Sequence, residues 1–227
     1  MLLEVIAESI DDARVIDQSQ ADRIELVKSL DEGGLTPPLE LVNEVVKHVN
    51  IPVRVMVRPH SRSFIYTSED KERMIQYVHR LKTLNVDGIV FGALKDDSSI
   101  DFAFLDKILE VKGKLKITFH RAIDSLKDHF ERELIELLKR NIDTVLTSMN
   151  KPNAMEGIYS YNQFLPEFIH HRVELLAGKG LNQSNLQNFI EQTQLTHIHI
   201  GNAAKHQSQV NVTKINELKT IMIQAIE

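Results

Sequence analysis

The segment VRVMVRPHSRSFIYTSEDKERMIQYVHRLKTLNVDGIVF, residues 53–91, decides the fold class. It opens on a five-residue run, 53–57, rich in valine and closed by Arg58-Pro59; that is a strand signature. A helical stretch begins at Ser68-Glu69 and sets Met74, Ile75, Val78, Leu81 and Leu84 at three-to-four spacing. A second apolar run, 88–91, follows Asp87. Strand, helix and strand in this order require parallel pairing through a right-handed crossover.

The same alternation extends in both directions. Short apolar runs recur at 2–7, 23–27, 116–119, 144–147, 172–177 and 196–200, which makes eight with the two above. Helical spacing is also clear at 131–140, 184–194 and 213–226. Eight units in 227 residues leave about 28 residues each, the compact end for a closed barrel. A doubly wound open sheet is the alternative. It uses fewer strands, and the first strand-to-helix turn here lacks a glycine-rich dinucleotide fingerprint. The expectation is therefore an α/β protein, one (β/α)8 TIM barrel of parallel strands spanning residues 1–227.

Composition narrows the function classes. The chain holds 27 Lys and Arg against 32 Asp and Glu, a formal net charge of −5, and its basic residues are scattered. Nucleic acid demands a clustered basic footprint, so no nucleic-acid partner is expected. No run approaches the roughly 20 apolar residues of a membrane span, and Met1–Glu8 lacks the basic start of a signal peptide. A cytoplasmic protein without a membrane partner is expected. Cysteine is absent, which excludes disulfides and thiolate metal ligands.

Parallel barrel strands are covered on both faces, so charged residues within them need a reason. Glu4 lies in the first run, Glu25 in the second, Arg58 closes the third, His120 and Arg121 close the fifth, and His199 lies in the eighth. Strand alternation can point Glu4, Glu25, Arg58, His120 and His199 into the barrel. His120, Glu25 and Arg58 are the candidate catalytic set, able to move protons and hold an anion. His120, His199 and Glu25 are the candidate metal ligands. The bland alternative is a buried network in which Glu25 and Arg58 neutralise each other. The loops after strands seven and eight suggest an anion site at Gly178, Gly180 and Gly201, with Arg121, Lys179 and Ser148 nearby. The crossing at 31–38 can cover this site or, through its prolines, start the next helix. His197 and His199 share a strand face, and Asp22, Asp87 and Asp143 stand at strand starts as turn residues.

Six stretches in order resemble the CutC family: ADRIEL at 21–26, EGGLTP at 32–37, VRP at 57–59, DGIVFGAL at 87–94, TFHRAID at 118–124 and VLTS at 145–148. The resemblance implies a single cytoplasmic barrel that handles copper. Family members often carry cysteine where Ile6 and Val27 stand here, and the glycine triplet after strand seven is Gly178-Lys179-Gly180. The family ending His-x-Ser-Ala-Arg is reduced to His199-Ile200-Gly201-Asn202-Ala203. Copper is thus the implied cofactor, yet Cu(I) prefers thiolate or thioether ligands and only six methionines are present. Three readings follow: a copper-binding homeostasis protein; an acid/base lyase or isomerase acting on a small phosphorylated or carboxylated metabolite; and a non-catalytic barrel that self-associates, as a homodimer, through its last helix.

Overall fold

The computed structural model describes residues 1–126 and 129–226. Eight parallel strands close into a barrel in sequential order: β1 (Leu2–Ala7), β2 (Arg23–Leu26), β3 (Val53–Met56), β4 (Gly88–Phe91), β5 (Lys116–Phe119), β6 (Thr144–Thr147), β7 (Glu174–Ala177) and β8 (His197–Ile200). A helix follows each: α1 (Ile10–Asp17), α2 (Leu39–His48), α3 (Ser68–Leu81), α4 (Phe102–Val111), α5 (Phe130–Leu138), α6 (Ile158–His171), α7 (Leu186–Thr193) and α8 (Val212–Gln224). This is the TIM barrel the alternation implies. The seventh strand starts two residues later than its apolar run, because Arg172 ends α6 in a left-handed conformation. A small hairpin, β9 (Lys205–His206) with β10 (Gln209–Val210), precedes α8 and has no counterpart in the sequence reading.

The strands divide their side chains by parity. Odd positions of β1 and β3 (Leu3, Val5, Val53, Val55) and the matching residues of other strands (Ile24, Ile89, Ile117, Val145, Leu175, Ile198) pack outward against the helices in one continuous core. The other parity fills the lumen, where Ile6, Val27, Met56 and Val90 form their own cluster and Leu146 and Leu176 are also buried. Below it, toward the strand starts, the lumen is polar. Arg23 Nε donates to Glu4 at 2.5 Å and its Nη2 to Glu174 at 2.7 Å. Arg54 Nη1 donates to the Thr118 and Thr144 hydroxyls at 2.6 and 2.7 Å, and its Nε to Asp87 at 3.2 Å. Each charge meets an opposite charge or a hydroxyl, which is the condition for burying it.

Asp22 and Asp143 do more than shape turns. Each accepts a backbone N–H from the neighbouring strand, Leu3 at 2.6 Å and Ile117 at 2.7 Å, and so pins two strand starts together. Gly88 sits level with Arg54 on one side and Lys116 on the other. A Cβ there would lie 2.4 Å from the Lys116 carbonyl oxygen, a backbone atom with no freedom to move aside. Gly88→Ala is therefore expected to destabilise the barrel by about 1–3 kcal/mol through overpacking, read as an earlier midpoint in chemical denaturation. An unchanged midpoint would show that the strands yield at this position.

Candidate functional site

The mouth at the C-terminal ends of the strands contains a cavity of about 410 Å³. Its lining includes Glu25, Arg58, His120, Arg121, Lys179 and His199, together with Ile6, Val27 and Met56. A second cavity of about 500 Å³ adjoins it, sharing Ile6, Leu30, Arg121, Lys179 and His199, and continues to Gly180, Gly201 and Asn202. The register explains the convergence. Glu4 lies level with Arg23 on β2 and with His199 on β8, and Glu25 stands two residues further up β2 on the same face.

Glu4 is fully buried. Burial alone would raise its carboxyl, but Arg23 and His199 outweigh that and hold it well below the usual carboxylate range. Its Oε1 meets His199 Nδ1 at 2.7 Å. His199 in turn presents Nε2 to Glu25 Oε2 at 3.8 Å. Burial opposes a charged His199, yet Glu25 and Glu4 prevail and raise its pKa above the ordinary histidine value. Glu25 is pushed up to about 7, chiefly by burial, with Glu4 adding to the rise while His199 resists it. Glu25 Oε1 is buried with no hydrogen-bond partner among the described residues.

His120 follows β5 and is also buried. Its Nδ1 accepts the backbone N–H of Ala122 at 3.1 Å, while Nε2 has no partner among the described residues. Burial, then Arg58, lower its pKa to about 3. The ring is wedged against Gly92, where a Cβ would lie 2.5 Å from Nδ1, and tilts over Phe64 with ring centres 5.0 Å apart.

Arg58 does not pair with Glu25, contrary to the neutralising alternative; Glu4 with Arg23 forms the buried ion pair instead. The Arg58 Nη1 reaches the carbonyl oxygens of Glu32, Gly33 and Gly34 at 3.1–3.2 Å, and its guanidinium carbon lies 4.7 Å from the centre of the Phe64 ring. It ties the 31–38 crossing to the cavity wall. Within that crossing Pro38 caps α2, so both readings of the segment apply. Two further cations, Arg121 and Lys179, border the mouth. Arg121 is oriented by Asp124, whose buried carboxylate accepts from Arg121 Nε at 3.2 Å and from the Thr147 and Ser148 hydroxyls.

Of the expected anion-binding residues, Arg121 lines both cavities, and Gly180 and Gly201 line the second. Ser148 does not line either: its hydroxyl is engaged by Asp124 and the Lys151 carbonyl. Gly178 packs under Leu146 and His199. Of the expected metal ligands, Glu25 and His199 come together with Glu4, three ligand atoms within 4.8 Å of one another, and His120 is not part of that group. The sequence reading passed over Arg23, Arg54 and Asp124. The first two were within reach, since Arg23 lies two residues before Glu25 and Arg54 four before Arg58, both assigned to the interior face.

A closed parallel barrel with buried acids, imidazoles and cations at the mouth places the protein among the site-bearing (β/α)8 barrels. The chain belongs to the CutC family, whose model matches residues 1–204. It is 35% identical over 198 residues to the human copper homeostasis protein cutC homolog, covering 87% of this chain and 72% of that one. It is 32% identical over 200 residues to the family protein CutC of Pasteurella multocida, covering 88% and 81%. A CutC structure from Streptococcus agalactiae superposes with a TM-score of 0.82 at 24% identity, over 90% of this chain and all of that one. A phosphoribosyl anthranilate isomerase from Thermococcus kodakaraensis shares the fold, with a TM-score of 0.64 at 12% identity over 97% of each chain. Among the described residues no helix is long and apolar enough to cross a membrane.

The raised Glu25 carries a pH signature. The unfolded chain ionises this carboxyl near the ordinary 4.5, the folded chain near 7, so between these values the native state binds more protons and stability falls as pH rises. Glu25→Gln removes that loss. The variant should gain about 1–3 kcal/mol on the wild type at pH 8 relative to pH 5, measured by denaturant unfolding at both pH values. A gap that does not change with pH would mean that Glu25 ionises normally.

Proposed function

We propose that this protein binds a small phosphorylated or carboxylated metabolite at the barrel mouth and moves protons on it, as a lyase or isomerase does. The observation that carries this reading is the pair of buried, unpartnered polar atoms, Glu25 Oε1 and His120 Nε2, in one cavity with Arg121 and Lys179. Buried polar atoms are almost always satisfied, and a ligand is what would satisfy these. Glu25, with a pKa near 7, is matched to proton transfer at neutral pH. His199, held as an imidazolium by Glu4, stands behind it. Arg121 and Lys179 clamp the anion, and Gly180 and Gly201 leave room for it in the second cavity. With no cysteine and no basic footprint, we place the protein in the cytoplasm, acting on a small molecule rather than on nucleic acid or a membrane.

Copper handling is the second reading, favoured by the group of Glu4, Glu25 and His199. The donors fit copper poorly. Cu(I) seeks sulfur, and the cavity offers one thioether, Met56, between the aliphatic Ile6 and Val27. Glu4 is already spent on Arg23 and His199. The remaining oxygen and nitrogen donors suit a harder divalent ion.

One titration series separates the two. Inorganic phosphate and small dicarboxylates should stabilise the protein thermally, and Arg121→Ala should weaken phosphate binding about tenfold or more, the usual worth of a charge-assisted hydrogen bond. Stoichiometric copper uptake that His199→Ala abolishes, with no response to any anion, would reverse the ranking.

A further inference from the structure

His120 and Glu25 have opposite characters within one cavity, and the difference specifies the ligand more narrowly than its charge does. A backbone N–H can only donate, so the Ala122 contact makes His120 Nδ1 an acceptor. The ring proton then sits on Nε2, the atom with no partner. Protonating Nδ1 would turn the Ala122 contact into two donors facing each other. Gly92, Phe64 and Phe119 fix the ring on its sides, so the Nε2–H direction is set before any ligand arrives. His120 is accordingly a rigid, neutral hydrogen-bond donor and not a proton carrier. Glu25 is the reverse: a carboxyl lining the same cavity, whose buried Oε1 has no hydrogen-bond partner among the described residues.

A fixed neutral donor and a carboxylate base lining one cavity are the two groups that enolisation of a carbonyl compound requires. Building on the reading above, we infer that the mouth takes a small phosphorylated compound bearing a carbonyl beside a C–H bond, with His120 Nε2–H donating to the carbonyl oxygen and Glu25 removing the adjacent proton. The C–H bond breaks and its proton passes to Glu25. The electron pair forms the new C=C bond, and the carbonyl π electrons move onto the oxygen that His120 holds. Return of the proton to the same carbon re-forms the carbonyl and regenerates Glu25, so no oxidant or second substrate is needed. The phosphate lies toward Arg121 and Lys179, which the two cavities share.

The test uses two phosphate esters of similar size. Phosphoglycolohydroxamate presents a planar enediolate-like head, and glycerol 3-phosphate presents only hydroxyls. The wild type should bind the hydroxamate at least about tenfold tighter, as expected for one added hydrogen bond to a charged oxygen. His120→Phe keeps a ring and removes the donor; it should bring the ratio close to one. In the wild type, the His120 Nε2–H proton resonance should move downfield with the hydroxamate only, a readout that does not depend on the variant folding. Equal binding of both esters with a still His120 resonance would overturn the carbonyl assignment while leaving the anion site standing. Failure of both esters to bind would remove the anion site, and this inference with it.

Discussion

The Glu4 carboxylate is the point on which the rest of the lumen turns. It is wholly buried, level with Arg23 on one neighbouring strand and His199 on the other. An unpaired carboxylate there would cost several kcal/mol, so the barrel closes in a register that gives it both partners. Arg23 neutralises the charge from below. His199 takes the remaining oxygen through Nδ1, and its Nε2 thereby faces Glu25 and the cavity. One buried anion thus sets the position and the charge of an imidazole at the mouth.

The lumen below this point and the lumen above it differ in kind. Below, Arg23, Arg54, Glu174, Thr118 and Thr144 satisfy one another. A buried network of this type adds little net stability over an apolar filling; its effect is to fix geometry. Above, the pairing runs out. Glu25 Oε1, Arg58 Nε and His120 Nε2 are buried and unpartnered, and the cations Arg121 and Lys179 border the same space. Polar groups left open at the C-terminal ends of barrel strands belong to the region where such folds carry their chemistry. The family relationship and the structure agree on the fold. The proton transfer we propose rests on the oxygen and nitrogen donors of this mouth.

The fold was legible in the sequence because both periods are clean. Residues 53–57 and 88–91 read as strands and the stretch from Ser68 to Leu84 as a helix; the structure forms them at Val53–Met56, Gly88–Phe91 and Ser68–Leu81. The mouth was partly legible: charged residues in strands covered on both faces stand out, and Glu25, His120, Arg121 and His199 line the same space. Pairing was not legible. Whether Arg58 meets Glu25 depends on side-chain reach across the lumen, and in the structure it turns away to the carbonyl oxygens of 32–34. Ser148 likewise looked free at a strand end, because nothing in the local sequence announces that Asp124, 24 residues earlier, reaches it. The tautomer of His120 is set by one backbone N–H two residues on, a contact that only coordinates reveal.

Burial, reinforced by the Glu4 carboxylate and opposed by His199, holds Glu25 protonated up to neutrality. Titration of the glutamate side-chain carboxyl carbons by NMR addresses it directly. Glu25 should show a midpoint near 7, with Glu4 ionised throughout. A Glu25 midpoint near the ordinary 4.5 would contradict the account and leave the mouth without its base.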